Sequence, residues 1–196
     1  MTTPAKSVWR TRIIAARRAL DDERRTREDA ALASAVTSLA PAGSIVCAYV
    51  PVGTEPGSLS LLDALVDAGV EVLVPVTTPG NALSWARYTG ADTLIAAGYG
   101  LREPTGGVLE PEAVTGAHAV LVPALAVDIR GVRLGRGAGF YDRTLHLASP
   151  DAALIAVVRD DELVDLLPED PHDIRMGWAL TPGKGLVRLG SADRAK

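Results

Sequence analysis

The chain has 196 residues, 47% of them hydrophobic, a net charge of −4 and a single cysteine. That length and composition fit one packed domain with a sizeable core and exclude a disordered chain. The acidic balance excludes a body built to attract nucleic acid, and the lone Cys47 excludes an internal disulfide and suits a reducing cytoplasm.

Residues 5–39 predict helix, broken near Leu20-Asp21-Asp22, where Asp21 caps a second segment. In the first part Trp9, Ile13 and Leu20 share one face, while Lys6, Arg10 and Arg17 line another stripe with the same spacings. Taken alone, that stripe reads as a solvated basic face. Arg12, Arg18, Arg24, Arg25 and Arg27 read as surface charge. The N-terminus is polar and basic with no apolar stretch behind it, so no signal peptide is expected, and no apolar run approaches the ~20 residues of a membrane span. Leu32, Val36 and Leu39 continue the buried face as far as Pro41-Ala42-Gly43.

Residues 45–50 predict the first strand, with Cys47 as a buried thiol. A loop over 51–57 leads to Ser58, the cap of a helix carrying Leu62, Leu65 and Val66 to Gly69. Glu55 falls just past the strand's C-terminal end, where open α/β sheets place their ligand sites, although a loop glutamate is ordinarily just surface. Residues 70–76, 83–88, 119–122 and 153–158 predict further strands. Residues 163–167 read as a short helical or turn piece, 168–173 as a loop, 178–181 and 186–189 as a terminal pair of strands, and 191–196 as a frayed tail. Strands alternating with helices predict a layered α/β sheet in one domain over 1–196, with the helical segment 1–40 packed on it. His118, His146 and His172 are isolated, with no zinc spacing among them.

The most informative stretch is 119–145, AVLVPALAVDIRGVRLGRGAGFYDRTL. A branched apolar run ends at Pro123, a turn follows at Asp128-Ile129-Arg130-Gly131, and Gly135, Gly137 and Gly139 then alternate with Leu134, Arg136 and Ala138. Phe140, Tyr141, Thr144 and Leu145 suit the start of a helix. Glycines let backbone N–H groups approach a ligand, and a helix N-terminus adds partial positive charge. Arg133 and Arg136 supply full charges, and Asp142 offers oxygen to a divalent cation. The pattern outlines a phosphate cradle, against the plainer reading of a glycine-rich turn before an ordinary helix. It is no Walker loop, since no Gly-Lys-Ser/Thr follows, and Phe140 falls where the third glycine of a dinucleotide fingerprint would stand.

Residues 123–142, with RLGRGAGFYD at their heart, resemble the signature of the 5-formyltetrahydrofolate cyclo-ligase (5,10-methenyltetrahydrofolate synthetase) family. Members read approximately P-x-L-x-x-D and then, a few residues on, R-L-G-x-G-x-G-Y-Y-D. The resemblance implies a single-domain layered α/β/α fold with a central, mostly parallel mixed sheet, Rossmann-like and CoA-transferase-like. It implies ATP as co-substrate and Mg²⁺ as cofactor. The γ-phosphoryl group would pass to the formyl oxygen of 5-formyltetrahydrofolate. N10 would then attack the activated carbon, releasing phosphate and closing 5,10-methenyltetrahydrofolate.

By the same resemblance, Lys6 and Arg10 match the K-x-x-x-R that opens the family's first helix and contacts ATP and folate. ATP would meet Lys6, Arg10, Arg133, Leu134, Gly135, Arg136, Gly137, Ala138, Gly139, Phe140 and Tyr141. Folate would meet Arg10, Val50, Glu55, Arg136, Gly137, Ala138, Gly139 and Phe140. Ser58 stands for the threonine of the family's Glu-x-x-Thr, and Phe140 for a usual tyrosine. Arg136, Lys6 and Tyr141 would be catalytic, and Asp142 with Asp173 would hold the metal, although Gly177 replaces an aspartate common there. Residues 98–104, GYGLREP, resemble the family's G-x-x-G-x-x-E-P, with Glu103 either structural or functional. A cytoplasmic monomer acting on small molecules, without nucleic-acid or membrane partners, is implied.

Two other readings compete. A sugar-phosphate or CoA-type enzyme would use the glycine loop without ATP hydrolysis, and a nucleic-acid module would use the N-terminal arginines as a basic arm. The acidic net charge and the lack of aromatic-basic interleaving weigh against the second. No Ser-His-Asp or Cys-His set suggests a covalent nucleophile.

Overall fold

The computed structural model describes residues 5–171 and 173–190, so His172 and the tail expected to fray lie outside the described residues. Helices α1 (Lys6–Arg18) and α2 (Asp22–Val36) open the chain. Their break falls where the sequence predicts it, with Asp21 accepting a hydrogen bond from the Arg24 amide at 2.6 Å as the N-cap of α2. There follow β1 (Ile45–Cys47), α3 (Leu59–Asp67), β2 (Glu71–Val76), β3 (Ser84–Arg87), β4 (Leu94–Ala96), β5 (Arg102–Pro104) and β6 (Val108–Leu109). The second half contributes β7 (Ala117–Pro123), β8 (Ala126–Asp128), β9 (Arg133–Leu134), α4 (Phe140–Thr144), β10 (Ala153–Val157), β11 (Leu163–Val164), β12 (Trp178–Thr181) and β13 (Gly185–Arg188).

Among the described residues the main sheet has eight strands in the order β13-β12-β10-β7-β1-β2-β3-β6. Neighbours from β12 to β2 pair in parallel, whereas β13, β3 and β6 join antiparallel to their neighbours. Parallel strands covered on both faces read as continuous apolar runs, and β7 and β10 have that character. Ala119, Leu121, Ile155 and Val157 point to one face, where Leu32 and Val36 of α2 and Leu61, Leu62 and Leu65 of α3 cover them. Val120, Val122, Ala156 and Val158 point to the other, against Val114, Leu145 and Met176. Cys47 belongs to this second core, where burial pushes its thiol up to about 12, so it stays protonated and inert. A smaller sheet, β11-β8-β9, packs under α1 through Ile13, Leu125, Val132, Leu134 and Leu167.

The turn between β8 and β9 leads through β9 into the glycine loop, and Asp128 organises that turn. Its fully buried carboxylate accepts from the amides of Arg130, Val132 and Leu167 and from the Arg130 guanidinium. The aspartate of the P-x-L-x-x-D pattern is thus a structural hub at this turn. Gly131 stands at φ +92°, and a Cβ there would lie 2.2 Å from the Met176 carbonyl oxygen. Replacing Gly131 by Ala should therefore destabilise the fold by about 3 kcal/mol, combining backbone strain with the displaced Met176 segment. In thermal unfolding that is a fall in Tm of roughly 6–12 °C; an unchanged Tm would contradict this packing.

Some local expectations are corrected. Residues 163–167 are not helical: Leu163 and Val164 form β11, parallel to β8. A strand of two residues carries no periodic signal, which is why the sequence does not reveal it. On α3, Leu61 takes the buried place expected of Val66, which is 38% exposed. Ser58 sits at the N-cap of α3 without capping through its side chain. β1 ends at Cys47, but burial continues through Val50 as the chain peels away toward Glu55.

Candidate active site

A cleft of about 420 Å³ opens at the C-terminal ends of β1, β2 and β7, where a parallel sheet places its ligands. Val50, Val52 and Glu55 form one wall, and the loop from Arg133 through Gly139 with Phe140, Tyr141 and Asp142 forms another. Val50, Glu55 and the glycine-motif residues therefore face a common space, whereas Arg10, also expected to meet folate, does not line it. Gly137 adopts φ +103°, in the region L side chains rarely enter, and the Arg10 guanidinium packs 3.6 Å from where its Cβ would be. The loop is pinned by Arg10 Nε, donating to the Gly135 carbonyl (2.9 Å), and by the Arg143 guanidinium, donating to the Ala138 carbonyl (3.2 Å). The following helix α4 has only five residues. The expected contribution of a helix dipole is accordingly small, and positive charge at this wall comes from side chains.

Glu55 and Arg136 meet across the cleft at 3.3 Å, Glu55 with 11% and Arg136 with 51% of its side chain exposed. Glu55 also accepts from the Val52 amide at 3.1 Å. Burial raises its carboxyl above the ordinary range, and the charge of Arg136 partly opposes that rise. Tyr141 presents a buried hydroxyl that has no hydrogen-bond partner among the described residues. Its phenol is shifted well above its usual value, by burial first and by the Glu55 charge second, so it remains a proton donor. An orphaned buried donor on a cleft wall is what a ligand acceptor or a trapped water would satisfy. Arg133 lies 5.8 Å from the centroid of the Tyr141 ring and binds Asp142 at 2.5 Å.

Lys6, Arg10 and Asp173 do not line the cleft, although Arg10 touches the loop at Gly135 and Gly137. Lys6 Nζ binds Asp173 at 2.6 Å and Asp170 at 2.7 Å. Burial works to lower its pKa, but these two acids outweigh it and leave the ammonium charged. The basic stripe of α1 therefore faces inward: Lys6, Arg10 and Arg17 each hold a partner from a distant part of the chain. Leu134 turns its side chain into the small core, so that only its backbone is available to a ligand. Glu103 accepts from the amide and hydroxyl of Thr77, both at 2.8 Å, a structural tie between β5 and the end of β2.

The cleft also takes in Arg17, Arg102 and Arg143, none of which the motifs single out. Among the described residues Arg102 and Arg143 donate to backbone carbonyls and form no ion pair. With Arg136 they give the opening an excess of positive charge in a protein whose net charge is −4, the electrostatics of an anion site. Adjacency was the available signal for both, Arg143 beside Asp142 and Arg102 beside Glu103 in the 98–104 segment.

Asp142 and Asp173 are each committed to a cation, the first to Arg133 and the second to Lys6. Among the described residues no group of three or more His, Cys, Asp or Glu side chains converges as a metal cage. Isolated carboxylates of this kind fit a hard ion that arrives with phosphate oxygens and keeps several waters, as magnesium does. Among the described residues no helix is long and apolar enough to cross a membrane.

A sequence model of the 5-formyltetrahydrofolate cyclo-ligase family matches residues 2–182. The 5-formyltetrahydrofolate cyclo-ligase of Mycolicibacterium smegmatis is 50% identical over 194 residues, covering 96% of this chain and 100% of the relative. The enzyme of that name from Escherichia coli K12 is 30% identical over 142 residues, 71% of this chain and 78% of the relative. Among solved structures, the 5,10-methenyltetrahydrofolate synthetase of Aquifex aeolicus superposes with a TM-score of 0.77 at 28% identity, covering 97% of this chain and 95% of that one. A mixed, mostly parallel sheet with helices is common to both. With the glycine motif and the cleft in place, these likenesses assign the chain to the 5-formyltetrahydrofolate cyclo-ligase family.

Proposed function

We propose that the protein closes 5-formyltetrahydrofolate to 5,10-methenyltetrahydrofolate with conversion of ATP to ADP and phosphate, using magnesium. The observation that carries this reading is the single cleft in which the glycine loop, Arg136, Tyr141 and Glu55 converge. The triphosphate lies along residues 133–139, received by loop amides and by Arg133 and Arg136, with Arg10 bracing the loop through the Gly135 carbonyl. The pterin lies against Val50 and the Phe140 ring, and Glu55 accepts N–H bonds from its amino-pyrimidine edge. Phosphoryl transfer of this kind depends on positioning and charge neutralisation.

Arg136 neutralises charge as the γ-phosphoryl group moves to the formyl oxygen. Tyr141 donates its phenolic hydrogen bond to an acceptor on the substrate, being unable to act as a base at neutral pH. N10 then attacks the activated carbon and phosphate leaves. Asp142 and Asp173 would hold the metal, each exchanging an arginine or lysine partner for it. When bound, magnesium supplies charge neutralisation across the phosphate oxygens.

The test is the ultraviolet absorbance of the methenyl product, with ADP release measured in parallel. Product and ADP are expected to form in equal amounts, and only with both substrates present. A sugar-phosphate or CoA-type enzyme would release no ADP on adding 5-formyltetrahydrofolate, and that result would remove the proposal. A second expectation concerns the metal: Asp142→Asn should raise the magnesium concentration for half-maximal rate by about tenfold, the cost of one weakened ligand. An unaltered magnesium titration would take Asp142 out of the metal site.

A further inference from the structure

The loop that carries Glu55 is held from outside the cleft at points on both sides of that residue. The Arg159 guanidinium donates to the Thr54 carbonyl through Nη1 at 3.1 Å. The Tyr49 hydroxyl donates to the Pro56 carbonyl, and Asp29 of α2 accepts from the Gly57 amide at 3.0 Å. Among the described residues, the Glu55 carboxylate reaches the Val52 amide and Arg136, and the Glu55 amide donates to the Val52 carbonyl at 3.2 Å. Its place in the cleft is thus set by its neighbours' backbone bonds.

Arg159 is the anchor with the widest reach. It follows β10, and 3% of its side chain is exposed. Nε donates to Glu28 of α2 at 2.7 Å, and the Arg159 amide donates to Glu162 at 2.8 Å. Glu162 in turn receives both Arg17 Nε and Nη2, at 2.6 and 2.7 Å, and Arg17 Nη2 also donates to the Ala124 carbonyl on the cleft floor. This chain of charges joins α1, α2, the end of β7 and the Glu55 loop. A planar guanidinium can serve Glu28 and the Thr54 carbonyl together, which an ammonium cannot do in the same fork geometry.

We infer that Arg159 is a positioning residue for the folate-binding step: through the Thr54 carbonyl and Glu28 it fixes the loop so that Glu55 meets the substrate. The inference rests on the substrate role given to Glu55 under the proposed function. It predicts an effect divided between substrates, because among the described residues Arg159 holds Glu28, Thr54 and Glu162 and forms no hydrogen bond or ion pair with residues 133–139.

The test uses the double variant R159M/E28M, which removes both members of the pair and leaves neither charge buried alone; such apolar replacement of a buried pair is often neutral for stability. Arg159→Lys, which keeps the charge and loses the fork, is measured beside it and decides the question if the double variant does not fold. In either folded variant KM for 5-formyltetrahydrofolate is expected to rise about tenfold or more, with KM for ATP changed less than threefold. Amide exchange at Val52 and Gly57 is expected to quicken without substrate present. Equal rises in both KM values, or unchanged amide exchange, would overturn the inference while leaving the proposed function standing. Faster exchange with an unchanged folate KM would instead overturn the substrate role of Glu55, and the positioning role with it. The proposed function fails separately if the wild-type protein forms no methenyl product.

Discussion

Arg136→Ala should lower kcat/KM for ATP-dependent cyclisation at least ~10²-fold, about 2.7 kcal/mol of transition-state stabilisation. Arg136 is the cleft arginine placed between the two walls, held by Glu55 at 3.3 Å and half exposed to whatever enters. Arg133, with 8% of its side chain exposed against 51% for Arg136, is the less accessible of the two. Stability should change little, because Arg136 is half exposed and a pair screened by solvent on that side contributes ~0–1 kcal/mol. A second readout separates charge from bulk. Burial raises the Glu55 carboxyl and Arg136 counters the rise. Removing the arginine therefore lifts the Glu55 pKa further, and the acid limb of the pH profile for folate KM moves to higher pH. Wild-type rate together with unchanged ATP affinity would take Arg136 out of the chemistry.

The largest loss of stability is expected from Glu162→Ala. That substitution leaves Arg17, with 2% of its side chain exposed, as a buried cation without its bidentate partner. Breaking such a pair costs about 3–5 kcal/mol, which is a fall in Tm of roughly 6–20 °C for a chain of this size. It also unseats the Arg159 amide, which shares the same carboxylate. R17M/E162M should recover most of the loss, since neither charge then remains buried alone. A Tm for Glu162→Ala within a degree or two of wild type would mean that the pair is solvated in solution and does not tie α1 to the body.

The contrast between these residues shows what a sequence makes visible. The glycine loop was legible because its elements are neighbours in the chain: Arg133, the alternating glycines, the aromatics and Asp142 lie within ten positions. The break at Asp21 and the buried strands were legible for the same reason, as capping and periodicity are local. Arg17 shows where local information stops. Its spacing put it on the stripe with Lys6 and Arg10, but its partner Glu162 lies 145 positions away, and nothing local distinguishes a solvated arginine from a buried one. Lys6 and Asp173, 167 positions apart, were each marked by resemblance alone, and only the fold brings them into contact. Asp128 was legible as a turn residue, but its bond to the Leu167 amide, 39 positions away, was not.

The central claim is that the bend at residues 133–139 grips a triphosphate while the pterin lies beside it against Val50, Glu55 and Phe140. A crystal soaked with a non-hydrolysable ATP analogue, magnesium and 5-formyltetrahydrofolate tests this most directly. The account predicts γ-phosphate density within hydrogen-bonding distance of Arg136 and the loop amides, with the formyl oxygen facing it. Triphosphate density elsewhere, with the bend empty, would contradict it.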